Sequence, residues 1–367
     1  MKYFNVASDF KTETINQYDG LNQKYGDSKI LETFGQISIG NEFGSGRPGD
    51  MVPKVKMKEL EEYVRYSKRH NIEFNYTFNA LCLSNREFSE KGLQEIGCFL
   101  DQLYEIGVTS LTVAIPAVID FIKRAKYPFE VKASTLCDIV NATQALEYKK
   151  LGADRIVIKE AINRDFDSIK RICESFGDRV EAIVNVICDK NCIYRTFHQI
   201  QGSLNVSADM VSPRYYSHKC MMRRMENIDR LLKLNWIRPE DLHYYEQVGI
   251  HHFKIQGRHN VKAGNPVKTV ESYMQEKYDG NLMELLDNFN QSNSFSIYVD
   301  NRRLDGYLEP FYNSSNFCKD QCNHCGYCES YANKCINKEE ANEVMQLSRR
   351  FYEGYDQINN IAEHMNK

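Results

Sequence analysis

The stretch LYEIGVTSLTVAI (103–115) holds the pattern that decides the fold: an amphipathic helix ends, a glycine follows, and a β-branched run begins. Gly107 supplies the left-handed residue that ends a helix. The run after it lacks polar alternation, which is typical of a strand buried on both faces. The pattern recurs in YKKLGADRIVIKE (148–160), SFGDRVEAIVNV (175–186) and YEQVGIHHFKIQGR (245–258). Helix and strand repeated in this order predict βαβ units and a parallel sheet.

Outward from this repeat, eight runs qualify as strands and helical patterns fill most of the gaps. The strand candidates are 33–39, 72–79, 110–115, 129–135, 155–160, 180–187, 208–213 and 251–256. The clearest helical patterns are Met57–Arg69, Lys91–Ile106, Asn141–Leu151 and Phe166–Phe176. Eight such units predict an α/β fold closed into a (βα)8, TIM-like barrel. An open doubly wound sheet is the alternative, and the lack of a glycine-rich phosphate fingerprint after an early strand disfavours it.

The barrel pattern ends near residue 285, so we predict a barrel over 1–285 and a small cysteine-rich module over 286–367. A polar stretch at 287–294 is interpreted as a linker. A short β-like piece follows at 295–312. Residues from about Lys338, and in particular Glu340–Met365, predict one amphipathic terminal helix.

The composition is typical of a globular protein and does not indicate a binding partner. The chain has 367 residues, 42% of them hydrophobic, and a net charge of −3, which provides no general attraction to nucleic acid or anionic membranes. The first residues do not resemble a signal peptide, and no apolar run is long enough to span a membrane. We therefore expect a cytoplasmic protein, in which twelve cysteines are thiols or metal ligands rather than disulfides.

A first group of cysteines comprises Cys188 and Cys192 in CDKNC, and Cys220 in SHKC. In the predicted barrel they follow neighbouring strands, on the face where barrel enzymes build their active sites. A 4Fe–4S cluster normally takes four thiolates. Cys137, slightly favoured, or Cys82 could be the fourth ligand; otherwise one iron stays open for substrate. The competing interpretation is that these are unrelated packed thiols.

The second group is FCKDQCNHCGYCESYANKC (317–335). Its cysteines are Cys318, Cys322, Cys325, Cys328 and Cys335. The Cys-x2-Cys-x2-Cys core matches ferredoxin-like ligation and favours a second 4Fe–4S cluster. Zinc is the alternative metal, because four thiolates also suit a tetrahedral zinc site.

Polar residues at the predicted strand ends complete the candidate site. They are Arg195, Arg214, Arg258 and Lys159, with Glu160 and Asn79 as polar partners. Guanidinium groups suit carboxylate or phosphate, so this set predicts an anionic substrate. Arg47, in the glycine-rich segment 44–50, is a further candidate within what we interpret as a surface loop. His198 is interpreted as a loop histidine in preference to a proton-transfer residue.

Three segments together resemble peptidase family U32, the collagenase-like peptidase family: VNVICDKNCIYRTFH (184–198), SHKC (217–220) and WIRPEDLHYYEQVGIHHFKIQGR (236–258). The likeness covers roughly residues 30–285. Members of that family end a strand in a Lys-Ile-Glu-Gly-Arg-like motif, which here reads KIQGR (254–258). Gln256 stands in place of the Glu, so this position lacks a carboxylate. The C-terminal cysteine module resembles modules attached to some family members.

The resemblance implies a barrel that holds a 4Fe–4S cluster, with Cys188, Cys192 and Cys220 matching cluster-ligand cysteines. It also implies an anaerobic type of chemistry, the oxygen-independent hydroxylation of ubiquinone precursors or RNA bases, with prephenate as oxygen donor in some members. The name of the family implies peptidase activity instead.

We therefore expect an iron–sulfur redox enzyme that modifies an anionic small molecule, peptide or nucleobase. The C-terminal cluster would relay electrons, and a separate electron donor protein could supply them. A U32-type peptidase acting on peptides is the alternative, although the chain has no HExxH or GxSxG motif. A non-catalytic metal-binding protein that docks on a partner through its terminal helix is a third hypothesis.

Overall fold

The fold is a closed barrel of eight parallel strands that follow one another in chain order, with β1 pairing to both β2 and β8. The computed structural model describes residues 1–204, 206, 208–209, 211–292 and 295–365. The strands are β1 (Lys2–Ala7), β2 (Ser28–Gly35), β3 (Glu73–Phe78), β4 (Ser110–Val113), β5 (Glu130–Ala133), β6 (Arg155–Val157), β7 (Val180–Ile183) and β8 (His252–Ile255). The predicted (βα)8, TIM-like barrel is confirmed.

Helices alternate with the strands around the barrel and continue beyond it. Those up to β7 are α1 (Thr12–Lys24), α2 (Met57–Arg69), α3 (Glu90–Glu105), α4 (Pro116–Arg124), α5 (Ala142–Leu151) and α6 (Phe166–Phe176). Between β7 and β8 lie α7 (Arg195–Leu204), α8 (Tyr215–Arg224) and α9 (Leu242–Gln247). After β8 come α10 (Pro266–Met274), α11 (Leu282–Leu286), α12 (Glu309–Asn313), α13 (Cys322–Cys325), α14 (Tyr327–Cys335), α15 (Lys338–Gly354) and α16 (Gln357–Met365). In the described ranges, none of these helices has the length and apolar character needed to cross a membrane.

The four glycines of the repeat mark real helix ends. Gly107, Gly152, Gly177 and Gly249 all have positive φ, between 94° and 108°. A side chain rarely adopts this conformation, whereas glycine does so freely. The strands predicted after them are β4, β6, β7 and β8, and all four are present.

Two strand assignments from the sequence are wrong. The first strand, β1, was missed, and the candidate at 208–213 forms no strand: 208–209 is a turn and 211–213 is irregular, while Met210 lies outside the described residues. The backbone N–H and the hydroxyl of Ser212 both donate to Asp50, at 3.2 Å each, so this segment bonds to a loop instead of a sheet. Cys188, Cys192 and Cys220 therefore all lie in the single connection between β7 and β8.

Residues after β8 pack onto the barrel and onto that connection. Leu304, Tyr307 and Phe311 belong to the same hydrophobic cluster as the barrel strands. The β-like piece predicted at 295–312 forms instead a 3₁₀ turn (Asn301–Leu304), the start of α12 and one isolated bridge from Asp300 to Asn281. The division of the chain at residue 285 stays a prediction.

The C-terminal residues form two helices where we predicted one. After α15 ends, the carboxylate of Asp356 accepts hydrogen bonds from the backbone N–H groups of Ile358 and Asn359, at 3.2 and 3.3 Å. Aspartate in this position caps a new helix N-terminus. Lys219 of α8 also contacts the same carboxylate. The chain therefore restarts as α16 at a fixed point on the protein surface.

The barrel interior holds a buried network of charges. Lys132 is fully buried between two carboxylates: it contacts Glu32, and its Nζ lies 2.9 Å from Oε2 of Glu181. Arg155 Nη2 reaches Glu32 at 2.5 Å. Burial alone would raise the pKa of Glu32, but Arg155 and Lys132 outweigh it and hold that pKa at about 2. The carboxylates in the barrel are therefore ionised and paired.

Candidate active site at the barrel mouth

A pocket of about 90 Å³ opens at the carboxyl-terminal ends of the strands. This is the face on which barrel enzymes build their active sites. Strand residues Thr77, Thr112 and Lys254 lie at its floor. The residues from the sequence prediction that line it are Asn79, Glu160, Cys188, Arg195 and Arg258, together with Arg47.

Two of these guanidinium groups, on the half-buried Arg47 and the buried Arg258, are available to an anion. Arg47 Nη2 donates to Gln256 Oε1 at 3.1 Å. Arg258 Nη1 donates to Gln36, to Ser45 Oγ at 3.0 Å and to Thr77 Oγ1 at 2.7 Å. Among the described residues neither arginine has a carboxylate within 4.0 Å. A carboxylate or phosphate in the pocket would be their first full charge partner.

Arg195 has a different role, because it is already paired. Its Nε and Nη2 bond the two carboxylate oxygens of Glu160, at 2.5 and 2.9 Å, and its Nη1 bonds Asp138 at 2.5 Å. Burial would raise the pKa of Glu160, but Arg195 holds it below its usual range. This clamp fixes the start of α7 against the loops that follow β5 and β6. Arg195 therefore shapes the pocket wall rather than offering a free charge.

Two predicted site cations lie outside the pocket lining. Lys159 Nζ bonds Asp138 Oδ2 at 3.0 Å, and Arg214 Nη2 bonds Asp50 Oδ2 at 3.1 Å. The strand assumed before Arg214 does not form, so the reason for placing it at the mouth is lost. Asn79, in contrast, is well placed: its Oδ1 accepts from the backbone N–H of Gly46 at 2.9 Å and so positions the loop that carries Arg47.

The first cysteine group is close together near this pocket. Cys188 lines the pocket itself. Burial, with smaller contributions from Glu160 and Cys220, raises the pKa of Cys188 to about 12. Burial, with a contribution from Cys220, also raises the pKa of Cys192. Cys188 and Cys192 therefore both lie within electrostatic reach of Cys220.

A buried arginine faces these thiols. Arg224 donates to the backbone carbonyl of Ile187, and its Nε is buried without a hydrogen-bond partner. Burial would lower the pKa of Arg224, but Cys220 and Cys188 raise it overall. An orphaned guanidinium N–H beside several thiols suits a site that carries negative charge.

Neither proposed fourth ligand shares the lining of the mouth pocket with Cys188. Cys137 Sγ donates to the backbone carbonyls of Ala114 and Val113, at 3.4 and 3.7 Å. Burial raises its pKa to about 12. Cys82 lies half-buried in the loop after β3. The fourth ligand stays a prediction, with an open iron as the alternative.

Four cysteines of the second group surround one cavity of about 380 Å³: Cys318, Cys322, Cys325 and Cys328. Cys328 Sγ lies 3.3 Å from the hydroxyl of Tyr307. Cys335 is not in this lining, since α14 carries it two turns onward into the hydrophobic cluster. Its place in the predicted ligand set is therefore not supported by the geometry.

The two cysteine groups are neighbours across one loop. Lys190, between Cys188 and Cys192, bonds Asp320 Oδ1 at 3.0 Å. A cavity of about 330 Å³ runs between this loop and the C-terminal residues, and Cys318, Cys322 and Cys328 contribute to its wall.

Within the described part of the chain, no three His, Cys, Asp or Glu side chains converge closely enough to form a ready metal site. The donors nevertheless match an iron–sulfur cluster in kind. Four thiols surround one cavity in the second group, and three thiols beside an orphaned arginine N–H form the first. Thiolates are the usual ligands of such clusters.

Sequence reasoning missed Lys254 in the lining of the mouth pocket, and Arg224 and His259 in a second cavity. Burial and the neighbouring Arg47 lower the pKa of His259 to about 3, and its Nδ1 is buried without a partner. The pKa of His198 falls to about 4 for the same two reasons. Two signals could have identified Lys254: it is a lysine inside the apolar strand HFKI, and it begins the KIQGR motif (254–258).

Comparison with known proteins identifies the class to which this barrel belongs. Residues 50–198 match the model of peptidase family U32. An uncharacterized protease of Methanocaldococcus jannaschii, MJ1657, is 32% identical over 294 residues, which cover 80% of this chain and 85% of that protein. The chain therefore belongs to peptidase family U32, and the resemblance noted in the sequence is confirmed.

A solved structure supports the fold independently. The U32 peptidase Mk0906 superposes with a TM-score of 0.51 at 15% identity, over 70% of this chain and 93% of that one. At this identity the likeness concerns the barrel alone.

Proposed function

We propose that this U32 protein is an iron–sulfur redox enzyme that modifies an anionic substrate held at the barrel mouth, by oxygen-independent hydroxylation or a related reaction. The observation that carries the proposal is the lining of one pocket. Cys188 shares it with the half-buried Arg47 and the buried Arg258, two guanidinium groups without carboxylate partners among the described residues.

Three thiolates, Cys188, Cys192 and Cys220, would hold a cluster at the mouth. A 4Fe–4S cluster with three protein thiolates would supply electron transfer and one iron open to substrate. Arg224 lies beside the thiols and balances their negative charge in a buried place. This is the environment a cluster with several thiolates requires.

The substrate would be oriented by the protein's own cations. Arg258 is fixed by three hydrogen-bond acceptors on Nη1, so its remaining N–H groups have a defined direction. Arg47 is fixed through Gln256. Positioned guanidinium forks bind carboxylate or phosphate with defined geometry. The pocket itself is small, so it accepts a small acid or the acidic end of a larger molecule.

The second group would hold the cluster that relays electrons. Cys318, Cys322, Cys325 and Cys328 are its ligands in this proposal, since they share one cavity. The loop 188–192 connects it to the first group through the ion pair of Lys190 with Asp320. Zinc is the alternative metal for these four thiols.

A thiol peptidase is less well supported by the geometry. Such an enzyme needs a cysteine hydrogen-bonded to a base, usually histidine. In the described residues no hydrogen bond joins a cysteine to a histidine. Burial and the cations Arg47 and Arg224 also make His198 hard to protonate.

The test is the metal content of protein purified without oxygen. Iron, sulfide and zinc per chain are measured, with the visible absorption spectrum, for the parent, Cys188→Ala/Cys192→Ala and Cys325→Ala/Cys328→Ala. Two 4Fe–4S clusters predict about eight irons in the parent and about four in each double variant. Cys98→Ala is the matched control, because Cys98 is an exposed cysteine of α3 remote from both groups in sequence.

Two results would contradict the proposal. Zinc alone, lost only from the C-terminal variant, would indicate a structural zinc module and return the barrel to the peptidase hypothesis. Absence of any metal after anaerobic reconstitution, with the folded state confirmed by circular dichroism, would refute both clusters.

A further inference from the structure

The floor of the mouth pocket carries a buried lysine that the redox proposal does not use. Lys254 lies in β8, and only 9% of its side chain is exposed. Its Nζ makes no hydrogen bond to any residue that the structure describes. Oε1 of Glu181 lies 3.6 Å away, and the ring of Phe34 is 4.0 Å from the ammonium. The amine is therefore aimed into the pocket without a donor–acceptor partner.

The charges around this amine make it reactive. Glu181 and Glu32 face it from within the barrel, and Lys132 and Arg258 oppose them. Burial, only partly offset by Glu181, lowers the pKa of Lys254 to about 8. A large share of the amine is then neutral in mildly alkaline solution. Lysines desolvated near other cations are the ones that act as nucleophiles toward carbonyl groups.

The same pocket provides a place for a carboxylate next to that amine. Arg258 and Arg47 line it with no carboxylate partner in the described structure. Its volume of about 90 Å³ is several times what one water requires, roughly 10–15 Å³. A ligand that satisfies both features is small and carries a carboxylate close to a ketone or aldehyde carbon.

We propose that Lys254 forms an imine with the carbonyl carbon of a small 2-oxo acid whose carboxylate is bound by Arg258 and Arg47. The proposal goes beyond the redox function and does not depend on a bound cluster.

The step balances with groups that are present. Glu181 takes one proton from the Lys254 ammonium, and the Nζ lone pair attacks the carbonyl carbon. Proton transfer from nitrogen to oxygen then gives a carbinolamine. Its hydroxyl departs as water with the proton returned by Glu181, which leaves a protonated C=N bond. One C–N bond replaces the C=O bond, one water is released, and nothing is oxidised or reduced.

Borohydride trapping tests this directly. The full-length protein is incubated with pyruvate and then with sodium borohydride, which delivers hydride to the imine carbon and makes the link permanent. Intact mass and peptide mapping are the readouts. We expect one reduced pyruvate per chain, on Lys254, and at least a tenfold lower yield with acetone, which has no carboxylate. Lys254→Arg should abolish the adduct, and Lys150→Arg, at an exposed lysine of α5 outside the lining, should keep it.

The mapping in the parent protein makes the test independent of how well Lys254→Arg folds. The proposal is overturned by no adduct with pyruvate, by an adduct spread over exposed lysines, or by equal labelling with acetone. Because the assay needs no metal, loss of the redox activity alone does not change its outcome, so the two proposals fail separately.

Discussion

The buried ion network of the barrel makes a sharp prediction about stability. Lys132 has no exposed side-chain surface and lies between the carboxylates of Glu32 and Glu181. Replacing it in Lys132→Met removes the cation and leaves both carboxylates buried. Removing one partner of a buried ion pair typically destabilises a protein by about 3–5 kcal/mol. We expect a loss of that size at pH 7.

The assay is urea unfolding followed by circular dichroism and by the fluorescence of Trp236, which is the only tryptophan and is buried. With a urea dependence of about 3 kcal/mol per molar, the midpoint should fall by about 1–2 M. Lys150→Met is the matched control. That lysine pairs with Glu147 at 2.7 Å, but its side chain is 71% exposed, so its loss should be about 0–1 kcal/mol.

The pH dependence of stability distinguishes loss of the Lys132 charge from loss of side-chain packing. The pKa of Glu32 is about 2, below its usual value, so its ionised form stabilises the fold above pH 4.5 and this contribution is lost as the pH falls toward 2. Without Lys132 the two carboxylates repel each other and their pKa values rise, so folding takes up a proton. The variant should therefore gain stability between pH 7 and pH 5, where the parent changes little. The reasoning would be refuted if Lys132→Met lost no more free energy of unfolding than Lys150→Met. It would also be refuted if the difference in that free energy between parent and Lys132→Met were the same at pH 5 as at pH 7.

Three further substitutions test other parts of the structure. Gly257→Ala should lower the melting temperature, because φ is +136° and the added methyl would overlap a buried asparagine amide; Gly20→Ala, with open space around it, should not. Asp356→Ala should destabilise α16 by about 1 kcal/mol through loss of its cap, measured as faster amide exchange over 357–365 with no change in the barrel. Gln256→Glu should give Arg47 a carboxylate partner and so reduce the yield of the trapped pyruvate adduct, which an unchanged yield would contradict.

The fold could be predicted where the sequence repeats a local pattern that has a direct physical cause. A glycine at a helix end followed by a β-branched run located four strands correctly, because both parts depend on nearby residues alone. The strand β1 (Lys2–Ala7) has no such helix and glycine before it, so only barrel closure could reveal it. The predicted number of strands was still eight, because the false strand at 208–213 was counted while β1 was not. Ser212 bonds to Asp50, 162 residues earlier, and no local pattern contains that contact.

The candidate site was predictable in its residue types but less so in its partners. Arg258 follows a recognisable motif and lines the pocket as expected. Arg195 was chosen by the same logic, yet Glu160 and Asp138 already neutralise it. Whether a cation at a strand end is free depends on carboxylates from other loops. Lys254 is the opposite case, a cation that was not chosen from the sequence but lines the pocket. Its role depends on Glu181 and other residues on neighbouring strands, which the local sequence does not reveal.

The C-terminal residues support the connection between β7 and β8 rather than merely following the barrel. The connection between β7 and β8 carries all three cysteines of the first group, yet contains no strand in its described residues. So long a connection needs support from outside the sheet. Residues after the barrel supply it: Tyr307, just before α12, donates to the backbone carbonyl of Leu232 at 2.5 Å, and its hydroxyl lies beside Cys328. Contact between Asp356 and Lys219 holds α16 to α8, the helix of Cys220. The residues on either side of the second cysteine group thus support the segment that carries the first.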